Sequence, residues 1–75
     1  MNLTTIKYSV ANDGFVKISL YNVLGEKVAD EVNNHLLKGI YNLELNFSNL
    51  DCGVYMCKMV LDGRIVAVKR IIISK

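Results

Sequence analysis

Alternation of apolar and polar residues in short segments is the feature that most constrains how this chain can fold. Residues 4–10, 15–21 and 40–47 place apolar side chains at every second position. Successive side chains of a strand point to opposite faces, so each segment predicts a strand with one buried face. The side chains expected to face inward are Ile6, Tyr8, Val10, Val16, Ile18, Leu20, Tyr41, Leu43, Leu45 and Phe47. No helical spacing of apolar residues competes with this pattern, and we expect almost no helix.

A further strand is predicted over Val54–Leu61, where apolar residues crowd together around one lysine. Gly53 precedes it at a position suited to a tight turn. Asp62-Gly63 follows it and is the strongest short hairpin signal in the chain. We expect residues 64–75 to form one long strand, bent near Val68.

The middle of the chain predicts a shorter strand and a loop. Residues 27–32 form the expected third strand, after a turn over residues 23–26. Residues 33–39 are expected to form a loop, with Leu36 and Leu37 able to pack back onto the core. Six or seven strands with turn signals about every 8 to 12 residues are typical of a small antiparallel β-sandwich.

Composition limits the chain to one domain, residues 1–75, and supports a folded one. A chain of 75 residues buries only about 60% of the surface that its unfolded form exposes. A hydrophobic content of 52% and the absence of proline favour a core over disorder. The net charge of +2 gives no reason to expect nucleic-acid binding. No apolar run approaches the ~18 residues of a membrane helix, and the first residues do not resemble a signal peptide.

No group of residues suggests catalysis, a cofactor or a metal. His35 is the only histidine, lies in a polar segment, and is expected to be solvated. Asp30 and Glu31 are adjacent, so on a strand they would point to opposite faces and bind a metal poorly. Cys52 and Cys57 would lie roughly 16 Å apart on an extended strand, whereas a disulfide needs Cα atoms within about 7 Å. We expect no internal disulfide and no zinc site.

The last twelve residues are basic: they contain Arg64, Lys69, Arg70 and Lys75 and no acidic residue. Two interpretations are open from the residues alone. Lysines beside three consecutive isoleucines can protect an exposed strand against aggregation. Alternatively, a basic β-rich tail can be a docking element.

Several motifs occur together in an order that is specific as a set. They are Thr4–Val10, Gly14–Val28 with its Tyr21-Asn22-Val23-Leu24-Gly25 turn, Gly39-Ile40-Tyr41, Asn49-Leu50, Gly53-Val54-Tyr55 and Lys69–Ile73. With these motifs the chain resembles the C-terminal sorting domain (type A) of proteins exported by the type IX secretion system of Bacteroidetes and related bacteria. Two positions depart from the family pattern, because Cys52 replaces a small residue and Cys57 an aromatic one.

The resemblance implies an all-β, immunoglobulin-like antiparallel sandwich of about seven strands at the C-terminus of a larger secreted protein. It implies that an N-terminal cargo domain passes through the periplasm and is then secreted or held at the cell surface. The partners implied are the outer-membrane translocon and a sortase-like peptidase that removes the domain. No catalytic residue, cofactor, metal or small-molecule substrate is expected, and the domain is expected not to be an enzyme.

The resemblance also singles out two segments as candidates for recognition by the translocon. The first is the basic ending, Lys69, Arg70, Ile71, Ile72, Ile73, Ser74 and Lys75, and here the resemblance favours docking over protection. The second is Gly53, Val54 and Tyr55. The alternative function is a non-catalytic immunoglobulin-like module that binds protein or carbohydrate for a secreted enzyme. We also expect that edge strands, Thr4–Val10 or Ile71–Lys75, could pair between copies in a homo-oligomer.

Overall fold

The predicted strands are present in the computed structural model, which describes residues 3–46 and 48–74. The strands are β1 (Leu3–Val10), β2 (Gly14–Tyr21), β3 (Lys27–Leu36), β4 (Gly39–Asn46), β5 (Gly53–Leu61) and β6 (Arg64–Ile73). The described residues contain no helix, as the alternation predicts. Two expected strand ends, at Phe47 and Lys75, lie outside the described residues.

The strands form two antiparallel sheets. β1 pairs with β4 in one sheet, and the other sheet has the order β3-β2-β5-β6. The chain changes sheet between β1 and β2, between β3 and β4, and between β4 and β5. These crossings let the apolar faces of the two sheets pack together, as in immunoglobulin-like sandwiches. The prediction of an all-β antiparallel sandwich is confirmed, with six described strands where about seven were expected.

The core lies between the sheets and consists of the alternate residues that the sequence pattern selects. Its most deeply buried members are Val10, Val16, Ile18, Leu20, Leu45, Tyr55, Cys57, Met59 and Ile73. Ile6, Tyr8, Tyr41 and Leu43 are half-buried at its margin. One polar side chain interrupts the alternation: Ser19 is buried, and its hydroxyl donates a hydrogen bond of 2.8 Å to the Asp30 carboxylate. That bond satisfies the hydroxyl, so its burial is tolerated.

The expected loop over residues 33–39 is wrong. β3 continues to Leu36, which pairs with Gly14 at the start of β2, and only two residues separate β3 from β4. Asn33, Asn34 and His35 resemble a loop because they are polar, yet β3 is an edge strand and leaves all three exposed. Leu36 packs against the core as expected, whereas Leu37 is 64% exposed.

The Asp62-Gly63 hairpin joins β5 to β6 and is held against the start of β2. The Asp62 carboxylate accepts a 2.9 Å hydrogen bond from the Phe15 amide, and the Asp62 amide donates one of 2.9 Å to the Phe15 carbonyl. A Cβ on Gly14 would lie 2.5 Å from the Asp62 carboxylate, so this position requires glycine while those bonds are made. The hairpin therefore fixes where β6 begins.

The turn between β2 and β3 is organised by one side chain. The amide oxygen of Asn22 accepts hydrogen bonds from the backbone amides of Leu24 and Glu26, each 3.0 Å long. An asparagine that bonds to its own following backbone stabilises such turns. Val23 and Leu24 are left 76% and 80% exposed at the tip.

Leu20 and Leu24 provide a matched pair of leucines for testing the core. Leu20→Ala removes a fully buried side chain and should lower the free energy of unfolding by about 2–5 kcal/mol. Leu24→Ala removes the same atoms from an exposed turn and should change it by less than about 0.5 kcal/mol. Urea unfolding followed by circular dichroism measures both. Similar costs at the two positions would contradict the described packing.

Candidate functional site

The two segments singled out by sequence lie side by side in the structure. β5 and β6 pair antiparallel, with Gly53 opposite Ile73, Val54 opposite Ile72, and Tyr55 opposite Ile71. We call residues 53–55 and 69–74 together the terminal ladder. Lys75, the last candidate residue, lies outside the described residues. The hairpin signal at Asp62-Gly63 implied this contact, because strands on both sides of a tight turn must pair.

One half of the terminal ladder is anchored in the core. Ile73 and Tyr55 are buried, with exposed fractions of 3% and 7%, and Ile71 is half-buried. The Tyr55 hydroxyl donates a 2.8 Å hydrogen bond to the Asp51 carbonyl, which fixes the segment that precedes β5. These three side chains stabilise the fold, and Tyr55 and Ile73 are not available to a partner. They hold the backbone of the ladder in place.

The other half of the ladder is exposed. Lys69, Arg70 and Ser74 are exposed, and Ile72 is 67% exposed. On β5, Gly53 is exposed and has a positive φ of 152°, which glycine adopts without strain, and Val54 is 37% exposed. Within the terminal ladder, these side chains and the outer edge of β6 are the most accessible to another protein.

The two adjacent cations point to opposite faces of the sheet. Arg70 lies opposite Met56, two positions from Lys58, whose ammonium group lies 4.6 Å from the centre of the Tyr21 ring. Lys69 lies opposite the buried Cys57 and therefore points toward the other sheet. A partner beside β6 would meet positive charge on both faces of the strand.

Lys69 also reaches a groove between the sheets that the sequence did not indicate. The groove has a volume of about 440 Å³ and lies between β1 and the pair β5–β6. Its lining is mostly apolar, including Met59, Leu61 and Val66, and its charged members are Lys7 and Lys69. It forms because the sheet that contains β1 has two described strands, whereas the other sheet has four and is not fully covered. Local patterns carry no information on how far one sheet covers another.

The other polar residues have structural surroundings. His35 is exposed on β3 opposite Phe15, in a strand and not in the expected loop. The Ser19 hydroxyl and the Lys27 ammonium, 3.2 Å away, hold the pKa of Asp30 below its ordinary value. Among residues 3–46 and 48–74 no group of three or more histidine, cysteine or acidic side chains could hold a metal. The same residues contain no helix able to span a bilayer.

Comparison with known proteins identifies a family. The family described as secretion system C-terminal sorting domain matches residues 2–74, nearly the whole chain. The chain belongs to this family. The resemblance to type IX sorting domains that the motifs indicate is thereby confirmed, and such a domain implies a protein exported to the cell surface or beyond. No curated protein and no solved structure matches the chain.

The two cysteines of this sorting domain are free and lie in different surroundings. Cys52 is exposed, and Cys57 is buried in the core. Burial, and secondarily the charge of Glu31, raises the pKa of the Cys57 thiol above its ordinary value, although Lys69 acts in the opposite direction. Cys57 thus contributes a small, buried side chain to the core.

The folded sorting domain should show one reactive thiol. At about pH 8, iodoacetamide should label Cys52 rapidly and leave Cys57 unlabelled, because only an exposed thiolate is reactive. Mass spectrometry of labelled peptides measures the two rates, and labelling in urea, where both thiols should react, is the control. Equal rates in the folded domain would contradict the burial of Cys57.

The Cys57 thiol should also make stability depend on pH. In the unfolded chain this thiol ionises near its ordinary pKa of 9.0, while the folded state keeps the proton to higher pH. The folded state then binds more protons, so the free energy of unfolding should fall as pH rises above that value. Cys57→Ala should remove this part of the slope in urea unfolding at alkaline pH. An unchanged slope would contradict the prediction.

Proposed function

We propose that this domain is a secretion signal that directs a larger cargo protein across the outer membrane through the type IX system. The observation that carries the proposal is the family match over residues 2–74. The placement of the terminal ladder supports it, because the basic segment lies on an edge strand that is exposed up to residue 70 and alternates between exposed and anchored side chains over residues 70–73. In this proposal residues 1–75 act as one sorting domain that follows its cargo.

The proposed route has three steps. The cargo and the sorting domain fold in the periplasm, the outer-membrane translocon binds the exposed half of the terminal ladder, and a sortase-like peptidase separates the domain from its cargo. The domain contributes recognition and no chemistry. The residues proposed to contact the translocon are Lys69, Arg70, Ile72, Ser74, Gly53 and Val54, while Tyr55, Ile71 and Ile73 position them.

The positions of the aromatic residues support carbohydrate binding less well than the family match supports sorting. Tyr8 and Tyr41 stack on each other with ring centres 5.6 Å apart and are half-buried. Tyr55 is buried, and Phe15 is 41% exposed. A carbohydrate module presents a flat row of exposed rings, whereas Phe15 is the only exposed ring among the described aromatic side chains, and Tyr21 is half-buried beneath Lys58.

The test is export of a reporter fused in front of residues 1–75, expressed with its own signal peptide in a host that has the type IX system. Deleting residues 69–75 would remove Ile71 and Ile73 from the core and unfold the domain, so charge reversal is the better change. The double variant Lys69→Glu/Arg70→Glu alters two exposed side chains and should leave the reporter inside the cell envelope.

A matched control reverses two cations elsewhere. Lys17 and Lys38 are exposed on β2 and beside β4, and Lys17→Glu/Lys38→Glu should be exported like the unaltered domain. Thermal melting of each purified domain checks that the variants fold. Retention of the unaltered fusion would refute the sorting function. Full export of the Lys69→Glu/Arg70→Glu fusion would refute the role given to these two residues.

A further inference from the structure

The outer edge of β6 is long and exposed, and another strand can pair with it. β6 lies at the edge of the four-stranded sheet, is ten residues long, and is exposed from residue 64 to residue 70. Apolar side chains stand out on it, with Ile65 61%, Val66 52%, Val68 53% and Ile72 67% exposed. Natural edge strands are normally shortened, charged, or interrupted by prolines and bulges, because an open edge pairs readily with other chains. β6 has charges and one bulge, but it is long and contains no proline.

The opposite edge of the same sheet is better protected. β3 has two irregularities in its pairing with β2, one between Ile18 and Ser19 and one between Leu20 and Tyr21. Bulges of this kind twist an edge and interrupt further pairing. β3 also carries a polar run over residues 33–35. β6 has one irregularity, opposite Met59 and Val60, and the six residues from Val68 to Ile73 pair regularly.

The charges of β6 indicate which partner fits. The strand contains Arg64, Lys69 and Arg70 and no acidic residue. If two copies paired antiparallel over all of β6, Lys69 of each copy would lie diagonally across from Arg70 of the other on the same face. Diagonal neighbours in a sheet are within reach of long side chains, and like charges there are unfavourable. In that full-length pairing the cations disfavour a second copy, and they favour an acidic strand.

We infer that the outer edge of β6 binds an extended acidic segment of a partner protein, which adds a fifth strand to the sheet. Main-chain hydrogen bonds to β6 would supply affinity, as in other cases of strand addition. Acidic side chains opposite Lys69 and Arg70, and apolar ones opposite Val66 and Val68, would supply specificity. The identity of the partner rests on the proposed function. The secretion machinery would recognise the domain by adding a strand to this sheet.

The test uses the 75-residue domain and a synthetic peptide, Thr-Val-Glu-Glu-Val-Thr-Val-Thr with blocked ends. Read antiparallel to residues 65–72, this peptide places its two glutamates opposite Lys69 and Arg70. Fluorescence anisotropy measures the affinity. A peptide with Gln-Gln in place of Glu-Glu should bind roughly tenfold more weakly, because two favourable cross-strand charge pairs are lost.

Charge reversal on the domain gives the sharper comparison. Lys69→Glu/Arg70→Glu should lose the acidic peptide and gain a peptide with Lys-Lys at the same positions, a result that an unfolded variant cannot give. The Lys17→Glu/Lys38→Glu domain should bind the acidic peptide as the unaltered domain does. Methylating alternate peptide amides should abolish binding for the set that faces β6 and spare the other set.

Hydrogen exchange locates the bound strand. The acidic peptide should slow exchange of those β6 amides that point away from β5. Absence of binding, equal affinity for the Glu-Glu and Lys-Lys peptides, or protection at β1, β3 or β4 instead of β6 would overturn the inference. Self-association that protects β6 amides in the domain alone would also overturn it, in favour of a second copy.

The two proposals fail separately. If the acidic peptide binds with the expected charge dependence but the unaltered fusion is not exported, the sorting function is refuted and the strand-addition surface is supported. If the unaltered fusion is exported but the domain does not bind the acidic peptide, the strand-addition surface is refuted and the sorting function is supported.

Discussion

The pairing of β2 with β5 is the interaction on which the rest of this structure depends. Val16, Ile18 and Leu20 lie beside Leu61, Met59 and Cys57 on one continuous apolar face. These strands are the two central members of the four-stranded sheet, and each carries an outer strand on its free side. The two-stranded sheet closes over the same face and buries Val10 and Leu45. In a domain this small a single interior of this kind must provide most of the stability.

The strands could be predicted from sequence because a half-buried strand has apolar and polar residues at alternate positions. This pattern is clear at Val16, Ile18 and Leu20. It fails in β3, where an edge strand needs few apolar residues, so Asn33–His35 resembled a loop although their backbone pairs with β2. Main-chain hydrogen bonds hold such a strand without a buried face, and no side-chain pattern records them.

The candidate site was only partly accessible to sequence reasoning. The motifs selected both segments of the terminal ladder, and the Asp62-Gly63 hairpin was sufficient to place them in contact. Alternation also explains why Ile71 and Ile73 turn inward while Ile72 turns outward. The groove beside β1 and the position of β6 at an edge depend on the order of strands within the sheet. That order results from long-range pairing, and short motifs do not specify it.

The arrangement of the charged side chains at the end of β6 depends on a folded core, because neighbouring residues of the same strand are packed into it. Ile73 is buried in the sandwich and Ile71 is half-buried, and they set the spacing and direction of the exposed side chains of Lys69, Arg70 and Ile72. A chain that has not yet closed its interior has the same residues but no fixed arrangement of them. A receptor that contacts this strand would thus distinguish mature molecules from unfinished ones by shape alone. The segment that the receptor recognises would then also report that the domain has folded.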